Sequence, residues 1–261
     1  MMWKFYSQED FSFSTQFGLH PNPWLAGMHK VVRRYVAQTR SQHWDLNRLA
    51  DYGASFIGGF GEKGKWGHAY LSMWNGTGAN DAIDANPKKD VSFVVWLNPL
   101  TSEDFQKSKV GVQYYMGWDE DYDAQDEDNE DAYKYNLMSA MGNIQYKGLF
   151  NLGVEYNGYT HKAMEGEDDM KASAMTLFGT LWFAELAEDS KAFQTLNVFF
   201  RYGMVDPDAD FDDDEVTDMI FGVECNPVKG FATSLNYRSE TFKTGEGNDD
   251  YIEKYLFLNA V

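Results

Sequence analysis

The chain has 261 residues, with 22 Lys and Arg against 41 Asp and Glu, a formal net charge of −19. Phosphate recognition needs a basic footprint, so this balance excludes a nucleic-acid binder. Aromatic residues make up 16% of the chain, which excludes acidic disorder, and the single Cys225 excludes a disulfide framework or a Cys-rich zinc site.

In chain order, the first seven residues, Met1 to Ser7, lack the apolar core and small-residue site of a signal peptide. From residue 10 onward the dominant signal is period two. In 110–118 one parity is wholly apolar (Val110, Val112, Tyr114, Met116, Trp118); in 150–157 the even residues are apolar and the odd ones polar; in 196–202 the odd face carries Asn197 and Arg201. Strict alternation over seven or more residues predicts strands with one apolar face. Twelve are predicted, at about 10–19, 51–61, 65–75, 90–98, 108–118, 132–144, 148–160, 171–185, 193–204, 216–226, 230–242 and 250–261. Ordinary globular strands run to about five or six residues, whereas membrane-spanning strands need about 9–11. No run approaches the eighteen or so apolar residues of a transmembrane helix.

The connections alternate between two classes. Turns at 62–64, 146–147 and 226–229 are short, with longer members at 99–107 and 186–192; loops at 76–89, 119–131, 161–170, 205–215 and 243–249 are long and mostly acidic. Short turns on one side and long loops on the other are the asymmetry of outer-membrane barrels. The fold class is therefore all-β: one antiparallel transmembrane β-barrel domain over 1–261, with twelve strands visible, an even number that permits antiparallel closure.

Segment 20–50 departs from the pattern. It holds Lys30, Arg33, Arg34, Arg40 and Arg48 against the single acid Asp45, a net charge of +4 in a chain that is otherwise −23, and it contains four of the six arginines. Asn22-Pro23 reads as an N-cap followed by proline at the first helical position. Trp24, Met28, Val31, Val32 and Tyr35 then recur at helical spacing, with His29, Lys30, Arg33 and Arg34 on another face. A short amphipathic helix would pack its apolar side on the inner wall and turn its basic side to the pore, where cationic rings select anions. The competing reading is a surface loop whose arginines pair with acidic loops or lipid phosphates.

If the apolar parity faces lipid, the opposite parity gives Glu155, Asn197, Arg201, Glu224, Asn236, Arg238 and Glu240 to the lumen, and a barrel of this width is too wide for side chains to fill. Trp66, Trp74, Trp96, Trp118, Tyr133, Tyr156, Trp182 and Tyr202 lie near strand ends, as interfacial girdles would. Nine acids crowd 119–131 and seven crowd 206–215. The spacing of Asp206, Asp208 and Asp210 resembles a calcium loop, but Phe211 stands where such a loop needs Gly, so a solvated tip is favoured and divalent bridging of loops or lipopolysaccharide is the weaker reading. A Ser/His hydrolase is disfavoured: His68 and Ser72 share a strand face but lie too far apart to touch at strand rise.

Five stretches, taken in order, carry a family likeness: 17–24 (Phe-Gly-Leu-His-Pro-Asn-Pro-Trp), 50–54 (Ala-Asp-Tyr-Gly-Ala), 74–80 (Trp-Asn-Gly-Thr-Gly-Ala-Asn), 201–210 (Arg-Tyr-Gly-Met-Val-Asp-Pro-Asp-Ala-Asp) and 235–238 (Leu-Asn-Tyr-Arg). Through them the chain resembles bacterial outer-membrane porins of the phosphate-selective (porin O and P) family. The resemblance implies a Gram-negative outer-membrane location and the C-terminal part of a 16–18-stranded barrel, lacking the N-terminal strands and last few residues of family members. It also implies a homotrimer, contacts with lipid and lipopolysaccharide, no cofactor and no covalent chemistry. The expected function is passive diffusion of small hydrophilic solutes, anionic and phosphate-like. The alternatives are a structural or adhesive barrel with a plugged lumen, and a barrel-type phospholipase.

Overall fold

The computed structural model describes all residues except 33–48, 77–87, 106, 119–133, 163–167, 188–189, 191–192, 212–213, 229–230, 244–249 and 261, and leaves aside the side chains of 63 and 260. Thirteen antiparallel strands form one sheet in which every strand pairs with its sequence neighbours. They are β1 (Met2–Ser7), β2 (Phe11–Pro21), β3 (Ala50–Phe60), β4 (Gly67–Trp74), β5 (Asp90–Leu97), β6 (Lys109–Trp118), β7 (Lys134–Tyr146), β8 (Phe150–His161), β9 (Met170–Trp182), β10 (Leu196–Asp206), β11 (Val216–Val228), β12 (Phe231–Phe242) and β13 (Tyr251–Ala260). A six-residue helix, α1 (Pro23–Met28), follows β2. No helix among the described residues is long and apolar enough to cross a membrane.

The expected twelve strands correspond to β2 through β13, and β1 is an addition. It escaped the period-two reading because its pairing with β2 shifts register between Lys4 and Tyr6, so one side of the bulge reads in the opposite parity to the other. The odd total changes the closure argument. With every neighbour antiparallel, β1 and β13 run in the same direction, and no pairing joins them among the described residues.

The two faces are inverted relative to a water-soluble protein. Phe56, Leu71, Phe93, Val112, Met138, Leu152, Phe221 and Leu256 are exposed, while Ser55, Ser72, Ser92, Gln113, Ser139, Asn157, Thr176 and Asp218, on the opposite parity, are buried. Apolar side chains turned outward on strands of up to 13 residues suit a hydrocarbon solvent, and the polar inner face needs its own partners. The strand ends keep the expected alternation: the junctions β3–β4, β7–β8 and β11–β12 fall on one side of the sheet, and β2–β3, β4–β5, β6–β7 and β10–β11 on the other. Gly61 and Gly64 turn the β3–β4 connection with φ of 73° and 78°, a region open to glycine.

Two expected girdle residues are not at an interface. Trp74 and Trp96 are 2% and 6% exposed and belong to the inner face, whereas Tyr156, Tyr202 and Trp66 are exposed. Parity decides this: Trp74 pairs with Asp90, and Trp96 with Gly111, all on the inward rows.

Candidate functional site

The inner face is crossed by the start of segment 20–50. Asn22 has extended backbone and its side chain accepts a hydrogen bond from the Trp24 N–H, a cap that fixes where α1 begins. The next residues are apolar and inward: Trp24, Leu25 and Met28 are fully buried, and they cluster with Val32, Val94, Trp96, Met141 and Phe178. The Trp24 and Trp96 rings stack at 4.8 Å, a contact worth about 0.5–1.5 kcal/mol beyond its area. Gly27 permits it, because a Cβ there would lie 2.2 Å from the Trp96 ring.

Polar anchors hold the insert at both ends of its path. Trp96 Nε1 donates to the Pro23 carbonyl at 3.0 Å on β5. Trp24 Nε1 donates to Glu155 Oε1 at 3.0 Å on β8, and Asn151 Nδ2 donates to the Val31 carbonyl at 3.1 Å. Val31 and Val32 then border a cavity shared with Phe178, Arg201 and Ile220 of β9, β10 and β11. Residues 22–32 thus run across the inner face from β5 to β10, so the sheet curves around them. The inward packing expected of Trp24, Met28, Val31 and Val32 is present. Lys30 is exposed on the insert; Arg33, Arg34, Arg40 and Arg48 lie outside the described residues.

Glu155, Asn197, Arg201, Glu224, Asn236, Arg238 and Glu240 are all on the inner face, but they are buried or nearly so rather than open to a wide channel. Apart from Asn236, they form two groups and an anchor. Asn197 Nδ2 and Asn226 Nδ2 each donate to Glu224 Oε1 at 2.8 Å. Arg201 Nη2 lies 3.1 Å from Asp218 Oδ2, Arg238 Nε lies 3.7 Å from the same oxygen, and Arg238 Nη2 lies 2.7 Å from Glu240 Oε1. Arg201, Ile220 and Arg238 stand in one cross-strand row, so the two guanidiniums flank β11 with Asp218 one inward position along. The chain of charges is balanced, two bases against two acids. Glu155 is the anchor of Trp24.

Residues that the sequence did not single out complete the inner face. Asp90 accepts from Tyr115 Oη at 2.5 Å and from Tyr135 Oη at 3.1 Å, and the rings of Tyr115, Tyr135, Tyr159 and His161 follow one another at 5.6–6.5 Å. Ser72 pairs with Ser55 at 2.7 Å instead of with His68, and Ser55 Oγ lies 3.4 Å from His20 Nε2. Both hydroxyls are about 1% exposed, so no substrate reaches them in this conformation. His68 faces Lys109 and Lys30 across a separate cavity. The only available signal for it was parity: His68 and Lys109 both sit at inward positions near strand starts on the short-turn side.

In the acidic connection after β10, Asp210 N–H donates to Asp208 Oδ1 at 3.1 Å, and Glu215 pairs with Lys243 at 2.9 Å. That hydrogen bond holds the Glu215 carboxyl below its ordinary range, while burial, with the Asp206 charge, pushes Asp214 up. Among the described residues no group of three or more His, Cys, Asp or Glu is placed to hold a metal ion.

No protein-family model and no curated protein matches the sequence. Among solved structures the chain is similar to OmpT, an outer-membrane protein of Vibrio cholerae folded in vitro and described in its trimer form, with a TM-score of 0.58 and 13% identity over 97% of this chain and 75% of that one. At that identity the likeness concerns the fold, which is that of a Gram-negative outer-membrane β-barrel.

Proposed function

We propose that the protein is an outer-membrane porin, a passive pathway for small hydrophilic solutes that prefers anions, with segment 20–50 folded inward as its constriction. The observation that carries this reading is the insert itself, with Trp24, Leu25 and Met28 fully buried against the inner wall and bonded to both β5 and β8. A loop that spends its apolar face on the inside of the barrel narrows the lumen, and its net charge of +4 then acts on ions in confined water. The balanced Arg201–Asp218–Arg238–Glu240 group adds a transverse field but little net sign. The anion preference therefore rests on Lys30 and on Arg33, Arg34, Arg40 and Arg48. The likeness to phosphate-selective porins supports phosphate as one permeant ion, and the trimer form of the Vibrio protein supports a homotrimer.

Planar-bilayer recording tests the reading. An ohmic current with greater anion than cation permeability is expected, and Arg33→Gln, Arg34→Gln and Arg40→Gln together shift the reversal potential toward cations. Absence of any current would favour the structural or adhesive barrel with a plugged lumen, which the dense packing of α1 also fits. An unchanged permeability ratio in the triple variant would leave a pore without a cationic constriction.

A further inference from the structure

On the short-turn side of α1 the inner face holds a cavity of about 210 Å³. Lys30 of the insert, His68 of β4 and Lys109 of β6 converge on it, with Tyr70, Trp96 and Asn98 completing the wall. None of its lining residues is acidic, and among the described residues neither Lys30 nor Lys109 pairs with a carboxylate. Both ammonium groups act on the His68 imidazole, and they act on each other. Like charges gathered around one half-enclosed space repel, and the interaction grows as solvent is excluded. An anion in the cavity removes that repulsion.

The site is constructed, not an accident of mobile lysines. Gly64 has φ of 78° and its missing Cβ makes room for the imidazole, since a Cβ there would lie 2.4 Å from His68 Nε2. Asn98 is fixed by its donation to the Lys65 carbonyl at 2.9 Å. The opposite wall is different in kind. Trp96 has committed its only donor to the Pro23 carbonyl, and the neighbouring surface of α1 comes from Pro23, Ala26 and Gly27. A phosphate presents charged oxygens on every side, and burying some of them against this wall, which offers no free side-chain donor, is costly. A molecule with two carboxylates to meet Lys30 and Lys109 and a short carbon body to lie on the apolar wall fits both halves.

We infer that this cavity binds a small organic carboxylate on its way through the pore. The inference rests on the pore reading for its physiological sense, but binding is measurable without it. The probe is succinate, with inorganic phosphate as comparison, added to the full chain in planar bilayers and, separately, titrated calorimetrically into the protein in detergent. Succinate is expected to reduce chloride current at concentrations where phosphate does not. Lys30→Gln with Lys109→Gln should weaken both the block and the calorimetric binding about tenfold or more. The corresponding Arg variants should restore them, and Lys147→Gln, a lysine in a turn on the same side, should change neither. Lys30→Gln alone, at an exposed position, serves if the double variant folds poorly. Equal effects of phosphate and succinate, or succinate binding unchanged by the substitutions, would overturn the inference. A barrel that carries no current but binds succinate through Lys30 and Lys109 would overturn the pore reading and leave the site standing.

Discussion

Trp24 and Glu155 lie 131 positions apart in the sequence and meet at 3.0 Å inside the barrel, the indole N–H donating to the carboxylate. This contact ties the insert of residues 22–32 to β8, and the Trp96 stack ties it to β5. Trp24→Ala removes both at once. Large-to-small changes at fully buried aromatic positions cost about 3–5 kcal/mol, and here the loss falls on the seat of the insert more than on the strand ladder. The expected outcome is a barrel that folds as the parent does, by denaturant titration, but has a larger and noisier single-channel conductance. Gly27→Ala should act in the same direction, because its methyl group would displace Trp96. Unchanged conductance in both variants would mean that α1 does not limit the pore.

The outer face can be tested one residue at a time. Phe200 is exposed and pairs across the sheet with Phe221, also exposed, in the middle of β10 and β11. Phe200→Arg should lower folding stability in liposomes by about 2–4 kcal/mol, as expected for a cation near the bilayer midplane. Asn259 stands on the inner row that carries Asn197, Glu224 and Ser234, and Asn259→Arg should fold like the parent. Asn197 itself is a poor control, because it is buried and bonded to Glu224. Equal stability of the two arginine variants would mean that the faces are misassigned.

Most of this fold was legible because a barrel wall makes every strand repeat the same local rule. Leu196, Val198 and Phe200 alternate with Asn197, Phe199 and Arg201, and that parity, together with strand length and barrel width, sorted lipid from interior. The rule failed where a bulge resets it, at Lys4 and Tyr6 in β1. It also misjudged Trp74 and Trp96, whose ring type suggested an interface while their parity pointed inward. The insert was readable from Asn22-Pro23 and the spacing of Trp24, Met28 and Val31, since a capped helix is a local event. The cavity of Lys30, His68 and Lys109 was not, because its residues come from three elements whose meeting depends on sheet register and curvature.

Asp218 is the hinge of the inner charge group, in contact with both Arg201 and Arg238, and its side chain is fully buried. Asp218→Asn removes the carboxylate that both guanidiniums share. Removing one partner of a buried charge pair costs about 3–5 kcal/mol, so this variant should unfold at clearly lower denaturant than the parent. Glu240→Gln should cost less, since Glu240 touches one arginine and is nearer solvent. In channels that do fold, Asp218→Asn should raise the anion-to-cation permeability ratio, because it removes a negative charge from the wall. Identical denaturation midpoints for the two variants would show that the group does not depend on Asp218.

The sidedness of the barrel follows from the connections. The β10–β11 junction lies at the same end of the sheet as β6–β7 and β2–β3, while 61–66 and 147–149 join strands at the other. Long acidic connections are the exposed, cleavable class, and in outer-membrane barrels they face outward. Protease added to intact cells should therefore cut within 207–215 and 119–133. The short turns should be cut only after the outer membrane is opened. Two constraints sharpen the comparison. The β3–β4 turn is tightened by Gly61 and Gly64, with Gly64 N–H bonded to the Gly61 carbonyl at 2.9 Å, so it resists cleavage even when reached. The turn at 147–149 carries the exposed Lys147, paired with Asp104 at 3.6 Å, and gives a trypsin site on the inner side. Trypsin should leave Lys147 intact in whole cells and cut there in permeabilised ones. Cleavage at Lys147 in intact cells, with the acidic connections spared, would reverse the orientation and move the cavity of Lys30, His68 and Lys109 to the outer mouth.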